Sequence, residues 1–364
     1  MVDSRSFDVE KLEKPSPDAL IARFKNWLVD EAPHPLRGEL LSFESPSAAS
    51  GRSGDTYIIC IAHSDKSRGQ RQYVLRAELG STGCPDANFD NMLTAHRILG
   101  KDDGLAVPGV VYNESTGDLL GGPFFIMEFC EGVAAPDSPP FSTAGWLFEA
   151  TPEQRQSLCR SGIEFLVKLH QLDWRALGLE TLLRRDSESS QTEQHLTSLI
   201  DIYDRALDGK RHEVGAATID WLYANLPAVE NLCMTWGDCR PGNGLWQEFR
   251  LSAALDWEMC GISEPGADIG LWLFSESAVT DALEIPRLEG MMMREEFLEE
   301  YEKRAGASVP NFDFFEIFSA FRTYVIVTDM MKMYEHHGQD FLGPSFDTSN
   351  SPYATTMQTL LSRQ

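Results

Sequence analysis

Met234-Thr-Trp-Gly-Asp-Cys-Arg-Pro-Gly-Asn-Gly-Leu-Trp246 and, after a short polar break, Leu251-Ser-Ala-Ala-Leu-Asp-Trp-Glu258 are the two stretches that decide the reading. Asp238 and Asn243 stand five apart in a Gly- and Pro-containing loop between two apolar strand candidates. Asp256 follows Asn243 by thirteen residues and closes the run Leu251–Leu255. A hairpin made of Gly244–Gln247 and Leu251–Leu255 would bring the loop and the second aspartate to one rim. Two carboxylates and an amide converging there suit a hard cation such as Mg²⁺ on a phosphate, because that ion prefers oxygen ligands. A capped turn beside a hairpin is the competing reading, since Asp, Asn and Gly are common in loops. The joint spacing on a strand–loop–strand pattern favours the chemical one.

On either side of these stretches the texture differs. Ser16 and Pro17 open a helix through Glu31, with Leu20, Ile21, Phe24, Trp27 and Leu28 on one face. Short β-type runs follow at Glu39–Phe43, Tyr57–Ala62 and Gln72–Glu78, then a helical pattern over Asn88–Leu99 and further runs at Val107–Tyr112 and Pro123–Glu128. The Gly/Pro-rich stretch Gly132–Pro140 reads as the exit into a different layer. Thr151-Pro152-Glu153-Gln154 is a capping box that starts a helix running to His170. Helical patterns then cover about Glu193–Arg205, His212–Ala224, Asp268–Phe274, Arg294–Arg304 and Phe312–Tyr334, interrupted by the β-rich Cys233–Asp256. The order predicts an α+β fold, with a β-rich first part over 1–130 and a mainly helical second part over 131–364.

Composition excludes several function classes. The net charge of −25 argues against a nucleic-acid groove, which selects for basic surfaces. Residues 1–130 carry 19 acidic and 13 basic side chains, and the remainder 37 and 18, so a cationic substrate would be favoured near the second part; a solvated acidic surface explains the imbalance better. No apolar run reaches the length of a membrane span, and the first fifteen residues are polar and charged. Seven cysteines without a Cys-x-x-Cys pair read as reduced thiols, so we expect a cytoplasmic protein with no membrane partner. Phosphate-loop, dinucleotide-binding, zinc-protease and serine-hydrolase motifs are missing from the sequence.

The loop resembles the aminoglycoside-phosphotransferase-like family of small-molecule kinases, whose pattern is His-Gly-Asp-x-x-x-x-Asn followed by an apolar strand ending Asp-Trp-Glu. Trp236-Gly237-Asp238 to Asn243 and Asp256-Trp257-Glu258 are the matching residues. The resemblance runs from about Leu40 to Phe274 and implies a two-lobed protein-kinase-like fold using ATP, or another purine nucleoside triphosphate, with Mg²⁺. It makes Asp238 the catalytic base, Asn243 a metal ligand and Asp256 the principal metal ligand. Arg76, in Val74-Leu75-Arg76, matches the cation that contacts the α/β phosphates; read alone it is one polar residue on an alternating strand. Ser53 and Gly54 fall where a phosphate-covering loop belongs, and the backbone around Glu128, Phe129 and Cys130 would face the adenine. Asp268 matches an aspartate that braces the catalytic loop, with a helix cap as the alternative, and His170 reads as a packed histidine. Arg240 is placed to offset charge on the transferring phosphoryl group, or to pair with one of the many carboxylates.

Two departures stand out. Trp236 occupies the position of the family's first motif histidine, and the helix Asp90–Leu99 lacks the glutamate that pairs with the strand-three cation, leaving only Asp90 near the helix start. The implied function is phosphorylation of a hydroxyl on a small-molecule acceptor. The alternatives are a pseudokinase or nucleotide-binding module, and a kinase of a hydroxylated acyl or lipid metabolite instead of an aminoglycoside.

Overall fold

Ser16 accepts a hydrogen bond from the Ala19 N–H through its hydroxyl, and Pro17 pre-sets the first helical φ, so helix α1 starts at Pro17 and runs to Asp30. The computed structural model describes residues 16–45, 55–80, 84–184, 189–228, 230–336 and 347–364. These fall into two units: one within Met1–Gly83 and Pro108–Cys130, the other within Cys84–Val107 and Glu131–Gln364.

The first unit is an antiparallel sheet covered by α1. Its strands are β1 (Gly38–Glu44), β2 (Asp55–His63), β3 (Gln70–Ala77), β4 (Val110–Glu114) and β5 (Phe124–Glu128), in the order β1-β2-β3-β5-β4. Alternation along β3 turns Tyr73, Leu75 and Ala77 inward. They join Leu20, Phe24, Trp27 and Leu28 of α1 with Phe124 and Ile126 of β5 in one core. Phe24 and Trp27 meet Phe124 edge-on at 6.5 and 6.2 Å, which fixes α1 on the sheet. Strand β4 begins at Val110, three residues later than the expected run, because the extended segment before it contains Pro108, which has no N–H for a ladder.

The second unit contains α2 (Phe89–Leu99), the short strand β6 (Val133–Ala134), the short helix α3 (Trp146–Glu149), and helices α4 (Pro152–His170), α5 (Gln191–Ala206) and α6 (Glu213–Ala224). Strands β7 (Cys233–Thr235), β8 (Gly244–Gln247), β9 (Arg250–Ala254) and β10 (Gly261–Ser263) follow, then helices α7 (Pro265–Ala282), α8 (Arg294–Ala305), α9 (Phe312–His336) and α10 (Pro352–Leu361). Aromatic and aliphatic residues of α5, α6, α7, α9 and α10 form one of its cores. The expected hairpin is β8–β9, in which Gly244 faces Ala254. Its two-residue connection, Glu248-Phe249, has both φ values positive, as a type I′ turn requires. β6 adds to β8, while β7 pairs with the later β10.

One expectation is corrected. Residues 84–107 read as part of the first lobe but associate with the second unit. The Asn88 N–H donates to the Glu258 carbonyl at 2.7 Å, Ala254 N–H donates to the Ala106 carbonyl at 2.7 Å, and Asp86 is paired with Arg322. These partners lie far along the chain, where local periodicity carries no information about them.

Helix α4 approaches Trp272 of α7 so closely that a Cβ on Gly162 would lie 2.5 Å from the indole ring. That ring is buried and wedged between Trp246 and Phe297, so it has nowhere to move. Gly162→Ala in an exposed helix would raise stability, but here it should lower it by about 1–3 kcal/mol through overpacking. Urea denaturation with unchanged slope checks the sign.

Candidate active site

The loop after β7 is fixed from beneath by one buried carboxylate. Asp268, in the first turn of α7, accepts the Trp236 N–H at 2.7 Å and the Gly237 N–H at 2.9 Å. His170 Nε2 lies 3.1 Å from the same carboxylate, and its Nδ1 lies 2.8 Å from the Tyr301 hydroxyl. Asp268 is therefore a brace, the N-cap position of α7 being occupied by Glu264, and His170 is packed between Tyr301 and Asp268 as expected. Gly237 has φ +87°, and a Cβ there would sit 2.0 Å from the Met259 carbonyl oxygen, so only glycine fits.

Past that turn come the candidate catalytic side chains. Asn243 donates through Nδ2 to the Asp238 carboxylate at 2.6 Å and to its carbonyl at 3.0 Å. This commits the amide's N–H₂ to Asp238 and leaves Oδ1 as its acceptor end. The Leu255 N–H donates to the Asn243 carbonyl at 2.8 Å, which ties the loop to the end of β9, next to Asp256. Asp256 has φ 61° and ψ 55°, a left-handed conformation that costs an L-residue about 1–2 kcal/mol. Oxygen donors from Asn243 and Asp256 match the ligand chemistry of Mg²⁺, which keeps several positions for water and phosphate. Among the described residues, no three His, Cys, Asp or Glu side chains form a closed metal cage.

Arg240 donates to both Asp137 carboxylate oxygens, at 2.7 and 2.9 Å, and its Nε lies 3.5 Å from Asp238. Burial alone would favour loss of its proton, but the carboxylates of Asp238, Asp137 and Asp256 outweigh that and hold its affinity above the ordinary range. All three acids thus act on one guanidinium, so Arg240 stands where their fields meet.

Trp236 is fully buried and donates its indole N–H to the Leu255 carbonyl at 2.7 Å. Its ring stacks on Trp257 at 6.0 Å and meets Phe165 edge-on at 5.6 Å. Trp257 in turn donates to the Ala254 carbonyl at 2.9 Å, so the end of β9, just before Asp256, rests on an aromatic block.

Among the residues expected in the first unit, Arg76 lies on β3 and donates to Thr56 Oγ1 at 2.6 Å. The Glu128 N–H is committed to the Gly109 carbonyl at 3.0 Å, and Phe129 and Cys130 follow the end of β5. Ser53 and Gly54 lie outside the described residues. Asp90 occupies the first turn of α2, where the N-cap is Asn88.

The sequence profile of the phosphotransferase enzyme family matches residues 47–312, well over half of the chain. The chain belongs to this family. Its curated relatives include a protein of Arabidopsis thaliana named as probable acyl-CoA dehydrogenase IBR3, 28% identical over an alignment of 307 positions that covers 76% of this chain and 35% of that one. Acyl-CoA dehydrogenase family member 10 of Mus musculus is 26% identical over 86% of this chain and 28% of its own length. The chain thus spans about a third of the length of these relatives.

Solved structures confirm the two-lobed protein-kinase-like fold, with its β-rich N-terminal and mainly helical C-terminal lobes. A Ralstonia eutropha protein named for aminoglycoside phosphotransferase activity superimposes with a TM-score of 0.69 at 19% identity, over 95% of this chain and 98% of the other. Aminoglycoside phosphotransferase APH(4)-Ia, in a ternary complex with AMP-PNP and hygromycin B, gives 0.56 at 13% identity over 93% and 97%. Choline kinase LicA of Streptococcus pneumoniae gives 0.54 at 16% over 89% and 94%. The family is described as one of phosphotransferase enzymes. Among the described residues no helix is long and apolar enough to cross a membrane.

Sequence reasoning missed Asp137, Asp86 and Arg322. Arg322 left a signal: it is a lone cation in the apolar run from Phe314 to Val327. Asp86 and Asp137, in loops, left none.

Because the indole fills space and supplies one N–H, Trp236→His should fold and keep any activity within about tenfold, if Asp238 is the base that the family resemblance implies. Trp236→Ala should lose about 3–5 kcal/mol through the cavity it leaves. Thermal denaturation and turnover on a common acceptor measure both. Activity that appears only in Trp236→His would favour the pseudokinase reading.

Proposed function

We propose that this protein is an ATP-dependent kinase that phosphorylates a hydroxyl group on a small molecule. The observation that carries the reading is the 2.6 Å bond between Asn243 and Asp238 on a backbone clamped by Asp268. In the proposed step Asp238 accepts the proton of the acceptor hydroxyl as its oxygen forms a bond to the γ-phosphorus. The bond from that phosphorus to the bridging oxygen breaks, and ADP leaves with the electron pair. Arg240 offsets charge that accumulates on the transferring group. Asn243 and Asp256 would hold Mg²⁺, which when bound neutralises the triphosphate. Arg76 is assigned to the phosphates, with Ser53 and Gly54 as the covering loop. The purine is assigned to the backbone from Glu128 to Cys130, where the Glu128 N–H is already used by the Gly109 carbonyl.

For the acceptor we favour a hydroxylated acyl metabolite over an aminoglycoside. Relatives named for acyl-CoA chemistry contain a region similar to this chain, which supports that choice. Of the two departures behind the pseudokinase reading, the one at Trp236 is weakened, since Trp236 supplies bracing through its bond to the Leu255 carbonyl, while the missing helix glutamate stands.

Calorimetry should find ATP binding in the presence of Mg²⁺ and its loss in excess EDTA, because the triphosphate and the Asp256 carboxylate repel without a cation. Equal affinity in both conditions would count against the site.

Asp238→Asn should lower turnover by about 10²–10⁴-fold with nucleotide affinity nearly unchanged. Asp256→Ala should instead abolish metal-dependent nucleotide binding. Identical behaviour of the two variants would overturn the division of roles.

A further inference from the structure

Gly237 is held at both ends by buried charges of opposite sign. Its N–H goes to Asp268 at 2.9 Å, and its carbonyl accepts from Arg322 Nη1 at 2.7 Å. Arg322 comes from the middle of α9, and its side chain is 7% exposed. Its Nη2 also donates to the Met259 carbonyl at 3.4 Å, the oxygen that excludes any side chain at Gly237. One guanidinium thus fixes two backbone carbonyls, one immediately before Asp238 and one in the segment that follows Asp256.

A buried guanidinium needs an anion. Asp86 provides it, with Oδ2 2.8 Å from Arg322 Nε and 3.0 Å from His195 Nε2, and Oδ1 3.5 Å from Arg184. Burial would raise the Asp86 proton affinity, but Arg322, then His195 and Arg184, hold it well below the usual carboxylate range. Burial is the main reason the His195 pKa is lowered to about 4, so its ring is neutral at pH 7 and Arg322 faces a full negative charge. A cavity of about 720 Å³ lies against this cluster, with Asp86, Arg184, His195, Gly237 and Arg322 among its walls. Beside it the charged side chains of the Asp86 cluster bond one another.

We propose that Arg322 is a positioning residue for phosphoryl transfer: by holding the Gly237 carbonyl it sets the backbone from which Asp238 projects, and Asp86 acts through it as counter-charge. The inference rests on the kinase reading and adds to it a clamp that neither the loop motif nor the metal ligands contain. A purely structural ion pair would matter to stability alone. A positioning pair matters to the loop even when stability is restored, and the two roles separate by experiment.

Three variants of the full chain make the test: Arg322→Lys, Arg322→Met, and Arg322→Met combined with Asp86→Leu. Lysine keeps the charge but cannot reach Asp86 and two carbonyls with a planar fork. Methionine alone leaves Asp86 buried without its main partner, and the double variant removes both charges, which often recovers stability. For Arg322→Lys and the double variant, turnover should fall by about 10²-fold with nucleotide KM nearly unchanged, as expected when a reacting group is misplaced by about 1 Å. Hydrogen exchange of the peptide 236–243 should quicken by about tenfold or more in both, while exchange in the core of α5 and α9 stays slow in the double variant. Recovery of turnover together with stability in the double variant, or unchanged exchange in 236–243, would overturn the proposal. If the parent transfers no phosphate to any acceptor while the loop exchange responds as described, the kinase reading fails and the clamp on the loop stands.

Discussion

Asp268 is a buried carboxylate that accepts two consecutive backbone N–H groups, and the path of the chain from Trp236 to Asn243 follows from it. Charge-assisted hydrogen bonds of this kind contribute about 1.5–3 kcal/mol each, and losing the acceptor would leave two buried donors unpaired. The carboxylate is itself placed by His170 of α4, which is held by Tyr301 of α8. Three helices therefore converge on one loop, and the left-handed turn at Gly237 converts that anchorage into the direction in which Asp238 leaves the chain.

Anchorage from below explains how the loop accommodates tryptophan where the family pattern has histidine. An indole donates one hydrogen bond and fills a large volume, and both capacities are used, at the Leu255 carbonyl and against Trp257 and Phe165. Asp256 then follows a segment whose backbone is fixed on the loop side by Trp236 and Asn243. Its left-handed conformation is held by that surrounding structure, as strained residues at functional sites generally are.

Local signals carried much of the fold. Ser16-Pro17, Thr151-Pro152 and Asn88 marked helix starts that the structure reproduces, and the hairpin Gly244–Ala254 followed from two short apolar runs around a polar turn. The same logic would have found α10, whose Ser351 and Pro352 repeat the opening of α1. Helix α7 was read as Asp268–Phe274 but extends from Pro265 to Ala282, because a helix buried on nearly every side has no polar stripe to betray its period. Strand β10, three residues long, is defined by pairing with β7 and has no independent signature. The association of residues 84–107 with the helical unit rests on partners such as Arg322, 236 residues from Asp86. In the candidate site, the contact between Asp238 and Asn243 was legible because its spacing is local. Asp137, which holds Arg240, and Asp86, which holds Arg322, act across long sequence separations.

Phosphoryl transfer to a hydroxyl is the claim on which the mechanistic account depends. The most direct measurement follows ATP labelled in its γ-phosphate, incubated with Mg²⁺, the protein and a pool of hydroxylated acyl and amino-sugar acceptors, with products separated by mass spectrometry. The account predicts label in a phosphate monoester of one acceptor class, with stoichiometric ADP. Label recovered only as inorganic phosphate, or remaining in ATP across the whole pool, would contradict it.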